Sequence, residues 1–172
     1  MEDSLITIFS IILAVLLMFI FPLMDTWERQ DDISYMSVYA NVVEFVDSAR
    51  NLGYITSDMY YSFLRSVYST GNRYQITLEH RDFVALPKEE NGKTVYYAAY
   101  VNTYTNSIIN KLNNNGRYDM SQGDYFYVSI KNTNKTQATQ IQEVIYASNQ
   151  ETFKIGVPYG GMVRNTSTNK SN

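Results

Sequence analysis

Residues Leu5–Met24 read LITIFSIILAVLLMFIFPLM, a run without a single charged side chain. At 1.5 Å per residue a helix of that length is about 30 Å long, which matches the hydrocarbon core of a bilayer. Its only hydroxyl side chains are Thr7 and Ser10, and both residue types can bond back to helix carbonyls. The run exceeds the roughly 7–15 apolar residues of a signal-peptide core. It leads into Pro22-Leu23-Met24-Asp25-Thr26-Trp27 rather than a small-x-small cleavage motif. These features predict a retained transmembrane anchor.

Beyond Met24 the chain turns polar and rich in Tyr, Asn and Thr. About 145 residues follow, enough for one domain with a modest core. The predicted organisation is a transmembrane anchor helix (1–24), an amphipathic continuation of that helix (25–53), an α+β head (54–164) and a disordered tail (165–172). Net charge is −3 with acids and bases scattered, so no basic stripe recommends nucleic acid as a partner. The chain has no cysteine, which removes disulfide frameworks, thiol catalysis and cysteine-ligated metals. Its 16 tyrosines suit strands or exposed contact surfaces. The first cation, Arg29, sits among Asp25, Glu28, Asp31 and Asp32, so the positive-inside rule has almost nothing to count. The head is expected outside the cell membrane.

No Gly or Pro occurs between Thr26 and Asn51. Ile33, Met36, Ala40, Val43 and Val46, followed by Ala49 and Arg50, recur at helical spacing and predict one apolar stripe. Gly53 is the expected stop. The anchor and its continuation therefore form one helix of about 45–50 residues, some 70 Å long, with Pro22 producing a kink or a lost hydrogen bond near Met18. Trp27 lies where an interfacial aromatic belongs. A second helix starts at the Thr56 cap with Asp58 in its first turn and carries the stripe Met59, Phe63, Val67. Tyr74–Arg81 alternates as a half-buried strand, and residues 84–94 read as a loop. A third helix is expected over 95–112, with the stripe Tyr100, Tyr104, Ile108, Leu112. A short strand or turn over 117–120, a strand at 125–131 and a helix at 135–146 with Ile141, Val144 and Ile145 as its apolar face follow. A last strand through Phe153, Ile155 and Val157 is expected to be interrupted at Pro158. The fold class is α+β: a long N-terminal transmembrane helix and a small head with a three- or four-stranded sheet plus helices.

Little in this pattern carries reaction chemistry. His80 is the one histidine; without cysteines or spaced carboxylates beside it, it reads as a surface or strand-edge residue rather than a metal ligand. Neither a phosphate-binding G-x-x-x-x-G-K-[ST] loop nor a dinucleotide G-x-G-x-x-G motif occurs. The glycines 156, 160 and 161 read as a bend, and Asp31-Asp32 as a solvated helix face. The three N-x-[ST] matches, at Asn134, Asn165 and Asn169, are of the kind an Asn-rich chain produces by chance. No catalytic residue, cofactor or metal is predicted, and the chain is not expected to be an enzyme.

The acids Glu2 and Asp3 stand directly before the apolar run. A carboxylate there, beside an α-amino group, suggests pairing between subunits, since an ionised group is costly unless paired; the alternative is that both acids simply stay in the headgroup layer. With these acids, the apolar helix, Pro22 and the amphipathic continuation in view, the chain resembles the type IV pilins and pseudopilins. The segments VEFVDSARNLGYITSDMYYSFLRSVYST (residues 43–70) and VSIKNTNKT (128–136) resemble membrane-anchored proteins of tight-adherence-type pilus clusters in Gram-positive bacteria such as clostridia. The resemblance implies an N-in, C-out anchor and a role in a pilus or secretion filament. It also gives Glu2 or Asp3 the part of the acid that pairs with a neighbour's N-terminal amine. Two departures from the pilin pattern bear on processing by a leader peptidase: Leu5 occupies the place where the pattern puts its acid, and no basic leader with a processing glycine precedes the run unless the chain as given starts after cleavage.

The expected function is thus a structural pilin-like or pseudopilin-like subunit. It would assemble through residues 5–24, with Glu2, Asp3, Pro22 and Trp27 as the assembly residues and the membrane, further copies and other pilus or secretion components as partners. The alternative is a monomeric membrane-tethered module whose Tyr- and Asn-rich head contacts cell wall or a partner protein.

Overall fold

The computed structural model describes residues 2–147 and 154–165, with side chains from Ser4 onward. The side chains of Glu2 and Asp3, Phe153 of the expected last strand, and residues 166–172 of the expected tail lie outside the described residues. The elements run in the order α1 (Glu2–Leu52), β1 (Tyr54–Thr56), α2 (Ser57–Tyr68), β2 (Tyr74–Glu90), β3 (Lys93–Tyr104), α3 (Thr105–Asn115), β4 (Arg117–Asp119), β5 (Tyr125–Asn132), α4 (Gln137–Tyr146) and β6 (Gly156–Met162). The fold is α+β, a 51-residue helix joined to a small head of two sheets.

Helix α1 passes Pro22 without interruption; the ring removes only the N–H that would reach the Met18 carbonyl. It ends where expected, with Gly53 at φ 74° and its N–H bonded to Ala49 O at 2.9 Å, a left-handed cap that costs a glycine nothing. Thr56 caps α2, its hydroxyl accepting from Met59 N at 3.2 Å, and α2 buries Tyr60, Phe63 and Val67.

The main sheet has the order β3-β2-β5-β6, and β1 pairs with β4 in a two-stranded sheet. All pairings are antiparallel. The core lies between α1, α2, α3 and the inner face of the main sheet. Phe45 stacks on Phe63 with ring centroids 4.4 Å apart and meets Phe126 edge-on at 6.1 Å. Leu78, Val128, Ile130 and Val157 close the sheet side, and Ile55, Ile108, Leu112 and Met120 the other.

Several expectations are corrected here. The stripe of α1 that enters the head is Val38, Val42, Phe45, Val46 and Ala49, whereas Ile33 and Met36 are 63% and 66% exposed and Ala40 is exposed as well. The stretch 84–94 is not a loop and 95–104 is not helical: β2 and β3 form a hairpin paired from Glu79↔Tyr104 to Glu90↔Lys93. Its turn is Asn91-Gly92, at φ 53° and 71°, the two-residue turn whose positive φ values match strand twist. Tyr100 and Tyr104 therefore lie on a strand, and only Ile108 and Leu112 of their expected helical stripe are buried in α3. The face Ile141, Val144, Ile145 of α4 is not its buried one. Ala138 and Thr139 are buried instead, and Val144 is 81% exposed. Pro158 does not interrupt β6, because β6 is a sheet edge and pairs with β5 on one side only, leaving room for a residue without an N–H. Glycines 156, 160 and 161 lie in that strand, not in a bend.

Candidate functional site

Among the described residues, the head leaves the apolar run of α1 uncovered. The most apolar 18-residue window of the helix is 0% buried, and the helix is long and apolar enough to cross a membrane. Its polar groups are turned inward on the helix itself: Ser10 Oγ donates to Ile6 O at 2.8 Å, and Thr26 Oγ1 donates to Pro22 O at 2.9 Å. What remains outward is aliphatic and aromatic, with Leu5, Phe9, Met18 and Phe19 each at least 65% exposed.

The expected assembly residues are spread along this rod. Glu2 to Trp27 is about 38 Å of helix, so they form a line rather than one site. Pro22 is exposed in the apolar run, and Trp27 is half-buried at the junction with the head. Trp27 lines a cavity of about 370 Å³ together with Gln30, Asp31, Ser34, Thr136 and Gln140. Asp31 is not a purely solvated acid, because the Thr136 hydroxyl donates to its Oδ2 at 2.6 Å.

Above the polar stretch 25–32, with its Asp25–Arg29 ion pair, an outward apolar stripe resumes. At 100° per residue, Ile33, Met36 and Ala40 lie on roughly the opposite face of α1 from Val38, Val42 and Ala49. The upper half of α1 is thus apolar on two faces: one fills the head and the other is open. The upper end is fastened to the edge strand. The buried Arg50 donates through Nε to Met162 O at 2.9 Å and pairs through Nη1 with Asp47 Oδ1 at 2.8 Å. Gly161 makes this possible, since a Cβ there would sit 2.7 Å from Arg50 Cζ. Rod and head are therefore joined through packed and hydrogen-bonded groups.

The head exposes a second surface. On the outer face of the main sheet the register places Phe83 beside Tyr100, Arg81 beside Tyr125 and Glu79 beside Tyr127. The rings interlock: Phe83 meets Tyr100 at 5.5 Å, Tyr100 meets Tyr125 at 5.8 Å, and Tyr125 lies near-parallel to Tyr127 at 6.2 Å. Arg81 stands over the Tyr127 ring at 5.1 Å. Tyr127 itself lies over Gly160, where a Cβ would come within 2.3 Å of its Cδ1. A cavity of about 300 Å³ opens between Arg81, Tyr100, Tyr125 and Tyr127. Beyond Arg81, β2 has only β3 as neighbour, and the hairpin extends away from the core with Leu86, Val95, Tyr96 and Tyr97 all at least 40% exposed.

His80 is not at a surface or a strand edge. Strand β2 does not end at Arg81, and its even-numbered residues from Tyr74 to His80 face the core, so His80 is only 4% exposed. Its Nε2 lies 3.0 Å from Asp124 Oδ2 and its Nδ1 2.8 Å from the Tyr118 hydroxyl. Asp124 also accepts from Phe83 N at 2.9 Å and Ser121 N at 2.6 Å. Burial raises the Asp124 pKa, but the bonds from His80 and the two backbone N–H groups outweigh it and hold the carboxyl below its ordinary value. Burial pushes the Tyr118 hydroxyl up. With Nε2 donating to the carboxylate, Nδ1 accepts from Tyr118, and every polar atom is satisfied. All three side chains are buried, which makes them a structural tie between β2 and the turn before β5.

Sequence reasoning missed both the outer stripe's direction and the aromatic sheet face. The signal for the second was present in Asn91-Gly92, a strong hairpin dipeptide, which places Tyr96 and Tyr100 on a strand. Comparison with protein-family models, curated proteins and solved structures finds no match to this chain.

Proposed function

We propose that this chain is a membrane-anchored structural subunit that associates with copies of itself through α1, in the manner of a pilin or pseudopilin, with its head outside the cell. The observation that carries the reading is the open apolar surface of α1, which runs from Leu5 through Phe19 to Leu23 and, above the polar turns 25–32, reappears at Ile33 and Met36. Apolar patches of that extent mark interaction surfaces. The lower part suits lipid or a helix bundle, where packing and paired polar groups hold helices together. The part above Trp27 suits neighbouring copies, because a solvent-facing stripe of Ile and Met gains roughly 25 cal/mol per Å² when covered. Glu2 and Asp3 are the proposed partners of a neighbour's N-terminal amine.

Crosslinking tests this reading. The chain has no native cysteine, so Ala14→Cys reports one position. Oxidation in native membranes is expected to give a dimer, and adding a second site, Met36→Cys, is expected to extend it to ladders. A single monomer band for both variants would overturn self-association. Glu2→Gln combined with Asp3→Asn is expected to leave the chain in the membrane fraction and abolish the ladders.

A second reading, a tethered binding module, is favoured by the aromatic outer face of the sheet, where Tyr100 is 50% exposed. On that reading Tyr100→Ala with Tyr125→Ala abolishes retention by purified cell-wall glycan, and the chain carrying both Ala14→Cys and Met36→Cys gives no ladders.

A further inference from the structure

Helix α4 does not bury the apolar side it carries. Its N-cap residue Thr136 is fixed to α1, the hydroxyl donating to Asp31 at 2.6 Å. Its middle is fixed by Gln142, whose Nε2 donates to Glu28 Oε1 at 2.6 Å. Along α4 the contacts therefore move from Asp31 to Glu28, that is, down α1 toward Met24. Residues 136 to 142 advance about 9 Å along α4 while residues 31 to 28 retreat about 4.5 Å along α1, so α4 descends at an incline. Continued to its end, this slope brings Val144, Ile145 and Tyr146 to the level of Trp27 and Thr26, within one turn of Met24, the last residue of the apolar run. At that level all three side chains are open, Val144 at 81%, Ile145 at 44% and Tyr146 at 61%. Trp27 faces the cavity between α1 and the start of α4.

We propose that the C-terminal turn of α4 is a foot whose open side chains Val144, Ile145 and Tyr146 rest in the headgroup layer of the same bilayer that α1 spans. Two observations choose lipid as the occupant. The foot lies close in height to Met24, the upper end of the apolar run on α1, and an open helix turn of Val, Ile and Tyr at that level has the composition of an interfacial anchor. The charges nearby do not recommend an anionic surface: Asp25, Glu28, Asp31 and Asp32 outnumber Arg29 and Lys154, and Lys154 already donates to Gln142 at 3.0 Å. The contact is therefore apolar in origin and independent of anionic lipid. It sets the tilt of the head on the membrane before assembly.

The inference rests on the membrane-spanning reading of α1, and the test separates the two. Single cysteines at Ala14, Val144 and Glu89 are labelled with a polarity-sensitive fluorophore in the full chain, reconstituted at one copy per nanodisc of zwitterionic phosphatidylcholine carrying nitroxide lipids. Quenching at Ala14 and Val144 several-fold stronger than at Glu89 is the expected result. Quenching at Ala14 with Val144 indistinguishable from Glu89 overturns the foot alone. Loss of quenching at Ala14 as well overturns the spanning reading and the foot with it. Protection of Val144 that appears only at many copies per disc identifies a neighbouring subunit as the occupant and also overturns the proposal. Because Val144 is exposed, Val144→Asp with Ile145→Asp is expected to fold normally by circular dichroism and to reduce quenching of a label placed at Tyr146→Cys to the Glu89 level.

Discussion

Asp124 receives hydrogen bonds from His80, Phe83 and Ser121 in a buried site, and through them ties the middle of β2 to the turn leading into β5. Asp124→Ala strips three donors of their acceptor, and unsatisfied buried donors each cost about 1–3 kcal/mol. A loss of about 3 kcal/mol in the detergent-solubilised chain is expected, read from urea denaturation followed by tyrosine fluorescence. The pH dependence follows from the lowered carboxyl pKa. Near and below the ordinary carboxylate value of about 4 the unfolded chain takes up a proton that the folded chain resists. The stabilisation by Asp124 is therefore whole above that range, and lost as pH falls through the folded value. In Asp124→Asn this part of the acid sensitivity disappears, which parallel denaturation series of the two proteins would reveal. Gly160 is a second sensitive position. A Cβ there meets both the Tyr127 ring and the Phe126 carbonyl oxygen at 2.6 Å, and the backbone oxygen cannot swing aside. Gly160→Ala is expected to cost about 1–3 kcal/mol, the range of overpacking, and to displace Tyr127 from the aromatic face; a melting temperature equal to wild type would contradict this.

The hairpin of β2 and β3 is the element most exposed to partners. Among the described residues no third strand pairs with it past Arg81, and isolated two-stranded ribbons are marginal in water. Its turn holds it together. Gly92 at φ 71° tolerates no β-branched residue, so Gly92→Val is expected to fray the tip. Fast amide exchange confined to residues 84–99, with unchanged protection in β5, would verify that the fraying is local. Strand β3 presents an edge free of proline, whereas the opposite edge, β6, carries Pro158 and three glycines. Proline and short apolar content blunt an edge against pairing; β3 lacks that protection. Helix α1 behaves differently from either strand, because its lower half needs no tertiary partner to keep its backbone bonded. The expected consequence is that Ile33→Lys with Met36→Lys, on the open face, changes the stability of the head by no more than about 0.5 kcal/mol while removing crosslinks between copies.

The whole molecule is a rod whose upper third is built into the head. Core residues of α1 begin at Val38, so a chain that starts at Trp27 retains every core contact. Such a truncated chain is expected to be monomeric by sedimentation without detergent and to melt within a few degrees of the full chain; precipitation with an unfolded spectrum would contradict it. The long helix, its stop at Gly53, the cap at Thr56 and the alternation of β2 and β5 were all legible in the chain, because each is set by local chemistry: apolar length, a left-handed glycine, a hydroxyl at a helix start, a period of two. The side of α1 that enters the head was legible only at its upper end, where the expected Val46, Ala49 and Arg50 are buried, and not over 33–40. Ile33-Met36-Ala40 and Val38-Val42-Ala49 are both apolar at helical spacing, and only the position of the sheet chooses between them. The burial of His80 depends likewise on β2 continuing past Arg81, which pairing with β3 decides. The aromatic face of the sheet exists only because three strands place Tyr100, Phe83 and Tyr125 side by side. Local spacing dictates periodicity within one segment, whereas the direction in which a periodic face points is settled by contacts between segments distant in sequence.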